Sequence, residues 1–158
     1  MAQTAAKRAS GQEPVVDPDG PVDRSTLEDK LGFRIRMAER RIYRDFVQSV
    51  DMTPVQYSVF ALVAENEGMS QGVIGEALNM DRASTMAIMD KLEKAGLIER
   101  KKSPIDRRRH ALYLTAKGRK EITAVEKKVR KTDDAFKQRL SDRQLRDLVR
   151  YLDILGSG

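Results

Sequence analysis

The sequence contains no cysteine and no tryptophan, and it has a single histidine, His110. The absence of cysteine excludes disulfide bonds, thiolate metal sites and redox sensing through a thiol. The sequence also lacks the glycine-rich loops that bind nucleotide phosphates, and it offers His110 no recognisable partner for acid or base catalysis. We therefore expect a protein that is not an enzyme and that uses no metal or cofactor.

Long hydrophobic runs are also missing. No stretch approaches the roughly 18 consecutive apolar residues of a membrane-spanning helix, and the first residues lack the apolar core of a secretion signal. We expect a cytoplasmic protein with no membrane partner. Aromatic residues make up only 5% of the chain and charged residues 34%, which favours a helical protein over a β-sandwich.

The first 24 residues contain Pro14, Pro18 and Pro21 but no leucine, isoleucine or phenylalanine. Such a segment has little apolar surface to offset the entropy that it would lose on ordering. We predict a disordered tail over residues 1–24. Folding of this tail onto a partner subunit or onto DNA is the alternative.

Positive charge is concentrated in the second half of the chain. Residues 1–80 carry nine basic and twelve acidic side chains, whereas residues 81–109 carry nine basic and five acidic ones. The net charge of the whole chain is +6. This balance indicates a polyanionic partner, either nucleic acid or a membrane surface, with an ordinary solvated helix face as the alternative.

Apolar residues recur every three or four positions in six segments, and most of these segments follow a good helix-capping residue. The predicted caps are Thr53 before Pro54, Ser70, Asp81, Thr115, and Ser141 with Gln144. Gly75 falls inside the third segment, where the close approach of a neighbouring helix would explain it. The predicted helices cover residues 27–50, 54–68, 70–78, 81–95, 115–140 and 141–155.

Two short strands are predicted after Gly96, over residues 97–101 and 111–114, with turn-forming residues between them. The order of elements predicts a fold that is mainly α with a small β-hairpin wing, a winged helix-turn-helix. In this layout the helix over residues 81–95 enters the major groove, and the hairpin reaches the DNA backbone or the minor groove.

The candidate DNA contacts lie on this helix and on the hairpin. With Thr85, Ile88, Met89 and Leu92 turned inward, the opposite face of the helix is left for DNA. Arginine suits guanine or phosphate, serine suits a base or the backbone, and small apolar side chains suit thymine methyl groups. The candidates are Arg82, Ala83, Ser84, Met86, Ala87, Lys91, Lys101, Lys102, Arg107, Arg108 and Arg109.

Three segments of the chain resemble the MarR family of transcriptional regulators. They are residues 92–100, the run Asp106-Arg107-Arg108 followed by Leu114-Thr115-Ala116-Lys117-Gly118, and Thr53-Pro54 with Gln56 and Tyr57. The resemblance covers roughly residues 27–155. It implies that Arg108 enters the minor groove and that Asp106 braces the wing. The family often has a basic residue where this chain has Ala87, which leaves the operator sequence open.

The resemblance also implies an obligate homodimer that binds double-stranded DNA. We expect a tail over residues 1–24, a dimerisation helix over 25–50, a winged helix-turn-helix domain over 51–115 and dimerisation helices over 116–158. The apolar stripes on residues 27–46, 122–140 and 145–155 suit this, since they exceed what one small domain needs.

Many members of the family release DNA when an aromatic acid binds between the dimer helices and the DNA-binding lobe. By resemblance, an arginine in such a pocket would pair with the carboxylate. A CoA thioester is an alternative ligand, and regulation without any ligand is a further possibility. The candidate residues also fit ordinary positions, with the apolar ones in the core and the arginines in solvent. The candidate ligand residues are Phe33, Met37, Arg40, Arg41, Tyr57 and Phe60.

A winged-helix module that binds protein instead of DNA is the remaining alternative. The three consecutive arginines at residues 107–109 count weakly against it. Steep salt dependence of DNA binding would separate the two functions, because phosphate contacts release counterions.

Overall fold

The computed structural model describes residues 20–103 and 110–157. Its contacts divide the chain into two compact units, one up to Arg36 and the other from Met37 onward. The predicted fold class is confirmed, because the described residues form helices and a two-stranded antiparallel hairpin. Most of the predicted tail, residues 1–19, and most of the predicted hairpin tip, residues 104–109, lie outside the described residues.

The elements follow the predicted order, and most of their ends fall within three residues of the predicted positions. They are α1 (Ser25–Glu28), α2 (Leu31–Ser49), α3 (Pro54–Glu65), α4 (Gln71–Ala77), α5 (Arg82–Lys94), β1 (Ile98–Lys102), β2 (His110–Leu114), α6 (Ala116–Lys137) and α7 (Asp142–Gly156).

The single helix predicted over residues 27–50 is wrong at its start, because the structure has two helices there. α1 ends at Glu28 and α2 begins at Leu31. α1 is four residues long and has no buried side chain. Tertiary packing therefore does not stabilise α1 as a continuation of α2. Gly32, a weak helix former, follows at once in the first turn of α2.

Side-chain caps fix the starts of four helices. In each case the side chain of the N-cap residue accepts an N–H from the first turn, and at α3 and α7 a glutamine completes a capping box. Among the five predicted caps Ser70 is the exception, because it has the extended backbone of an N-cap before α4 but makes no side-chain cap hydrogen bond. The four capping residues are Thr53, Asp81, Thr115 and Ser141.

The core of the second unit lies between α3, α4, α5 and the base of the hairpin. Ile122 of α6 packs against this core. A smaller cluster joins Phe46 and Val50, at the end of α2, to Val125 of α6. Part of the apolar stripe on α6 is therefore covered within the chain itself. The largest fully buried side chains are Phe60, Met89, Ile98, Leu112, Val59 and Val63.

A second set of backbone hydrogen bonds lies on the edge of β2 that does not pair with β1. The Gly68 N–H donates to the Leu112 carbonyl at 2.8 Å, and the Leu112 N–H donates to the Met69 carbonyl at 2.9 Å. This pairing could not be predicted, because two residues are too few to show a strand-like alternation. The pairing ties the hairpin to the turn that precedes α4.

Gly75 allows α4 and α5 to pack closely, as predicted. A Cβ at Gly75 would lie 2.6 Å from the Thr85 hydroxyl oxygen, a distance that real Cβ atoms avoid. Thr85 has little freedom to move away, because it is buried and its hydroxyl donates to the Asp81 carbonyl at 2.8 Å.

Large apolar surfaces remain uncovered on several helices. α7 has no buried residue, and no other element of the described chain packs extensively against it. In the second unit, α2 exposes Ile42, Tyr43 and Val47. Within residues 20–103 and 110–157, no helix is both long and apolar enough to cross a membrane. The side chains of α7 that are 43% to 63% exposed are Leu148, Val149, Tyr151, Leu152, Ile154 and Leu155.

Candidate DNA-binding interface

Asp81 anchors the N-terminus of α5 through Ser84. One carboxylate oxygen of Asp81 accepts the Ser84 N–H at 2.9 Å, and the other accepts the Ser84 hydroxyl at 2.7 Å. These two hydrogen bonds, the side-chain one first, hold the pKa of Asp81 below its ordinary value. Because the Ser84 hydroxyl donates to Asp81, it does not donate to a base or a phosphate in this conformation.

The two faces of α5 are divided as the sequence predicts. Thr85, Met89 and Leu92 are buried, and Ile88 is half-buried. The two cationic residues of the outward face, Arg82 and Lys91, make no ion pair with any described residue. Both are therefore available to phosphates. The predicted contact residues on α5 are all exposed, namely Arg82, Ala83, Ser84, Met86, Ala87 and Lys91.

An open groove of about 630 Å³ runs beside this face, between α4, α5 and the start of β2. Arg82 and Met86 of α5 line it together with His110. His110 is exposed and opposes Lys102 in the hairpin register. The groove therefore joins α5 to the hairpin on one continuous surface.

The two lysines predicted on the hairpin differ in their surroundings. The Lys101 amino group lies 2.7 Å from a carboxylate oxygen of Glu99 and 5.2 Å from the centre of the Tyr113 ring. Lys102 is exposed and makes no ion pair with a described residue. Lys102 is thus the freer of the two to meet a phosphate. The other predicted wing residues, Asp106, Arg107, Arg108 and Arg109, lie outside the described residues.

Glu67 joins three elements at the base of the hairpin. Its carboxylate accepts the Leu114 N–H of β2 at 2.8 Å and a guanidinium N–H of Arg119 of α6 at 2.9 Å. The Arg119 hydrogen bond, followed by the Leu114 one, holds the pKa of Glu67 below its ordinary value. This contact could not be predicted, because no local sequence pattern links residues 47 positions apart.

Arg100 of β1 is bound to two carboxylates of α5. One guanidinium nitrogen lies 2.6 Å from an Asp90 oxygen, and the other pairs with Glu93. The Arg100 backbone N–H also donates to Glu93, at 3.2 Å. Arg100 follows buried Ile98 by two positions and so shares its face of the strand, a signal from which its inward position could have been predicted.

The candidate ligand residues do not all line one cavity among the described residues. An open groove of about 500 Å³ has Tyr57, Phe46, Ile42 and Val129 on its apolar side. Its polar side is formed by Glu126, Arg130, Asp133, Asp134 and Lys137, and Arg130 pairs with Glu126 at 2.8 Å. The Phe46 and Tyr57 ring centres are 5.8 Å apart. Burial, and then the charges of acidic neighbours, raise the pKa of the Tyr57 hydroxyl.

The other five ligand candidates lie elsewhere. Phe60 is fully buried in the core and presents no surface to a ligand. Met37, Arg40 and Arg41 are exposed on α2 and do not line the 500 Å³ groove. Phe33 is half-buried and belongs to the first unit. Arg130 and Phe46 were not predicted, since both also fit an ordinary helix surface or core position.

The sequence profile of the MarR family matches residues 50–109, which include α3, α4, α5 and β1. A putative transcriptional regulatory protein for the hcr operon of Thauera aromatica is 33% identical over 131 residues. The alignment covers 80% of this chain and 79% of that protein. These relatives are transcriptional regulators, not enzymes.

Two solved structures of the transcriptional repressor CouR have the same fold. CouR bound to a 23-mer DNA duplex is 34% identical with a TM-score of 0.76, over 86% of this chain and 99% of that one. CouR bound to p-coumaroyl-CoA is 30% identical with a TM-score of 0.80, over 87% and 99%. The chain belongs to the MarR family of winged-helix transcriptional regulators, and it is a DNA-binding protein.

Proposed function

We propose that the protein is a homodimeric repressor that binds a pseudo-palindromic operator and blocks transcription by occupying a promoter. The observation that carries this proposal is the division of α5, whose inward face is buried while Arg82, Met86 and Lys91 are exposed. A helix held in this way presents a fixed set of side chains to the major groove. Arg107 to Arg109 would follow the backbone into the minor groove.

Dimerisation is supported by the uncovered apolar surfaces of α2 and α7. Exposed apolar area of this extent favours association. A two-fold dimer places two recognition helices about one turn of DNA apart, which is why a pseudo-palindrome is expected.

The test is fluorescence anisotropy with a duplex from upstream of the protein's own gene and a scrambled duplex, over a salt series. We expect selective binding that weakens steeply with salt, because phosphate contacts release counterions. Arg108→Ala should weaken binding to both duplexes alike and reduce the salt slope by about one. Arg146→Ala, which removes an exposed arginine of α7, is the control. Failure to bind either duplex at low salt would instead favour a protein-binding module.

We also propose that a small aromatic acid or its CoA thioester releases the DNA, by changing the spacing of the two DNA-binding lobes. The groove that holds Tyr57, Phe46 and Arg130 supports this, because it combines aromatic rings with two cationic side chains, Arg130 and Lys137, set among carboxylates. The structure of CouR with p-coumaroyl-CoA supports the thioester. The exposed Arg40 and Arg41 are proposed as partners for its phosphates, and Met37 as an apolar contact.

Release is tested by adding p-coumaroyl-CoA and simple aromatic acids to the protein–DNA complex. Loss of a charge-assisted hydrogen bond in Arg130→Gln should raise the concentration needed for release by about tenfold. Arg139→Gln is the control, since Arg139 stacks on the Phe136 ring and does not line this groove. If none of the compounds releases DNA from the wild-type protein, regulation by these ligands is excluded.

A further inference from the structure

The contact between Arg100 and α5 joins the two elements that meet DNA. Arg100 lies on β1 of the wing, and its partners Asp90 and Glu93 lie on the recognition helix. Only 18% of the Arg100 side chain is exposed, whereas the Asp90 and Glu93 side chains are 48% and 39% exposed. The cation is therefore mostly withdrawn from solvent, and the two carboxylates stand at the helix surface.

Arg100 is held through both its side chain and its backbone. Its guanidinium binds both carboxylates, and its backbone N–H donates to Glu93. The planar guanidinium can meet two acceptors at once in a fixed geometry, which the single amino group of lysine cannot do. Two points on α5, three residues apart, are thus fixed to one point on the strand.

Asp90 follows Met86 by four residues and directly precedes Lys91, so it stands next to the face of α5 proposed to contact bases. An unpaired carboxylate there would repel DNA phosphates. Arg100 neutralises it from the protein side. Because its guanidinium already binds the carboxylates of Asp90 and Glu93, Arg100 is not free to bind a phosphate.

We propose that Arg100 is a positioning residue for sequence recognition, which sets the orientation of α5 relative to the wing and holds the Asp90 and Glu93 carboxylates away from the DNA. This inference rests on the proposed insertion of α5 into the major groove. In this role Arg100 affects how accurately α5 contacts the bases, and it does not bind phosphate itself.

The test compares the affinities for two duplexes, one selected by the wild-type protein from a randomised library and one scrambled. Arg100→Lys keeps the charge but cannot bridge both carboxylates. It should lower the ratio of the two affinities by about tenfold, with an unchanged salt slope and less than twofold change for the scrambled duplex. Asp90→Asn should also lower the ratio, since it raises affinity for both duplexes but removes one fixed point of α5.

Thermal unfolding of both variants establishes whether they are folded at the assay temperature. If Arg100→Lys does not fold, Asp90→Asn still tests the proposal. Arg143→Lys, at an α7 arginine that is 88% exposed, is the matched control and should leave the ratio unchanged. A ratio within twofold of wild type in the folded variants would overturn the proposal. Equal weakening on both duplexes by Arg100→Lys would do the same. Failure of the wild-type protein to select any sequence would overturn the proposed operator binding first.

Discussion

Aspartate at both Leu148 and Leu152 should convert the dimer to monomers and weaken operator binding by at least about a hundredfold. These leucines are 43% and 47% exposed on α7, which has no buried residue in the single chain. An apolar interface would have to bury the new carboxylates without partners, which is strongly unfavourable. Monomers would then bind each half-site separately and lose the gain from linked binding. Sedimentation velocity and anisotropy measure the two effects.

The matched control is Arg143→Asn with Arg146→Asn, on the polar side of α7. This pair changes the net charge by the same amount as the two aspartates but leaves the apolar face intact. It should sediment as a dimer and keep its affinity within a few-fold of wild type. A double aspartate variant that remains dimeric at micromolar concentration would show that α7 is not part of the interface.

Replacing Gly118 by alanine should destabilise the protein by about 3 kcal/mol. A Cβ at this position would lie 2.0 Å from the Leu97 carbonyl oxygen and 3.0 Å from its carbonyl carbon. The backbone cannot easily yield, because the same carbonyl accepts the Thr115 N–H at 3.1 Å and Leu97 is buried. The start of α6 would have to move away from the hairpin. We expect the thermal midpoint to fall by about 6–12 °C at fixed protein concentration.

Gly72→Ala is the control for this effect. Gly72 also lies near the start of a helix, but the nearest atom to a Cβ there is the Ser70 hydroxyl oxygen, at 3.9 Å. Alanine should therefore stabilise α4 by up to about 1 kcal/mol. Equal midpoints for Gly118→Ala and the wild-type protein would mean that α6 tolerates displacement at its start.

Helices and their starts could be predicted from the sequence because both depend on residues close together in the chain. The cap at Asp81 and the capping box of Ser141 with Gln144 each involve residues three positions apart. The outward face of α5 followed from the spacing of its buried residues. The break between α1 and α2 was missed, because one glycine, Gly32, is a weak signal and the absence of buried residues on α1 cannot be read from local spacing.

The contacts that join elements could not be predicted in the same way. The Ser49 and Thr132 hydroxyls lie 3.0 Å apart across 83 residues, and no periodicity marks either as a partner of the other. The same holds for Glu67 with Leu114. The lining of the 500 Å³ groove was the least predictable, since an arginine such as Arg130 looks like any solvated helix residue until the groove beside it is seen.

The Leu114 amide offers a built-in reporter for hydrogen–deuterium exchange. Its hydrogen is bound by the Glu67 carboxylate, whereas the Leu112 amide, two residues away, is bound by a backbone carbonyl. As the pH falls through the lowered pKa of Glu67, that carboxylate becomes protonated and binds the Leu114 amide less strongly. The difference in exchange rate between these two amides therefore reports the protonation of the Glu67 side chain. It also reports whether the contact between the wing, α6 and the turn before α4 is intact.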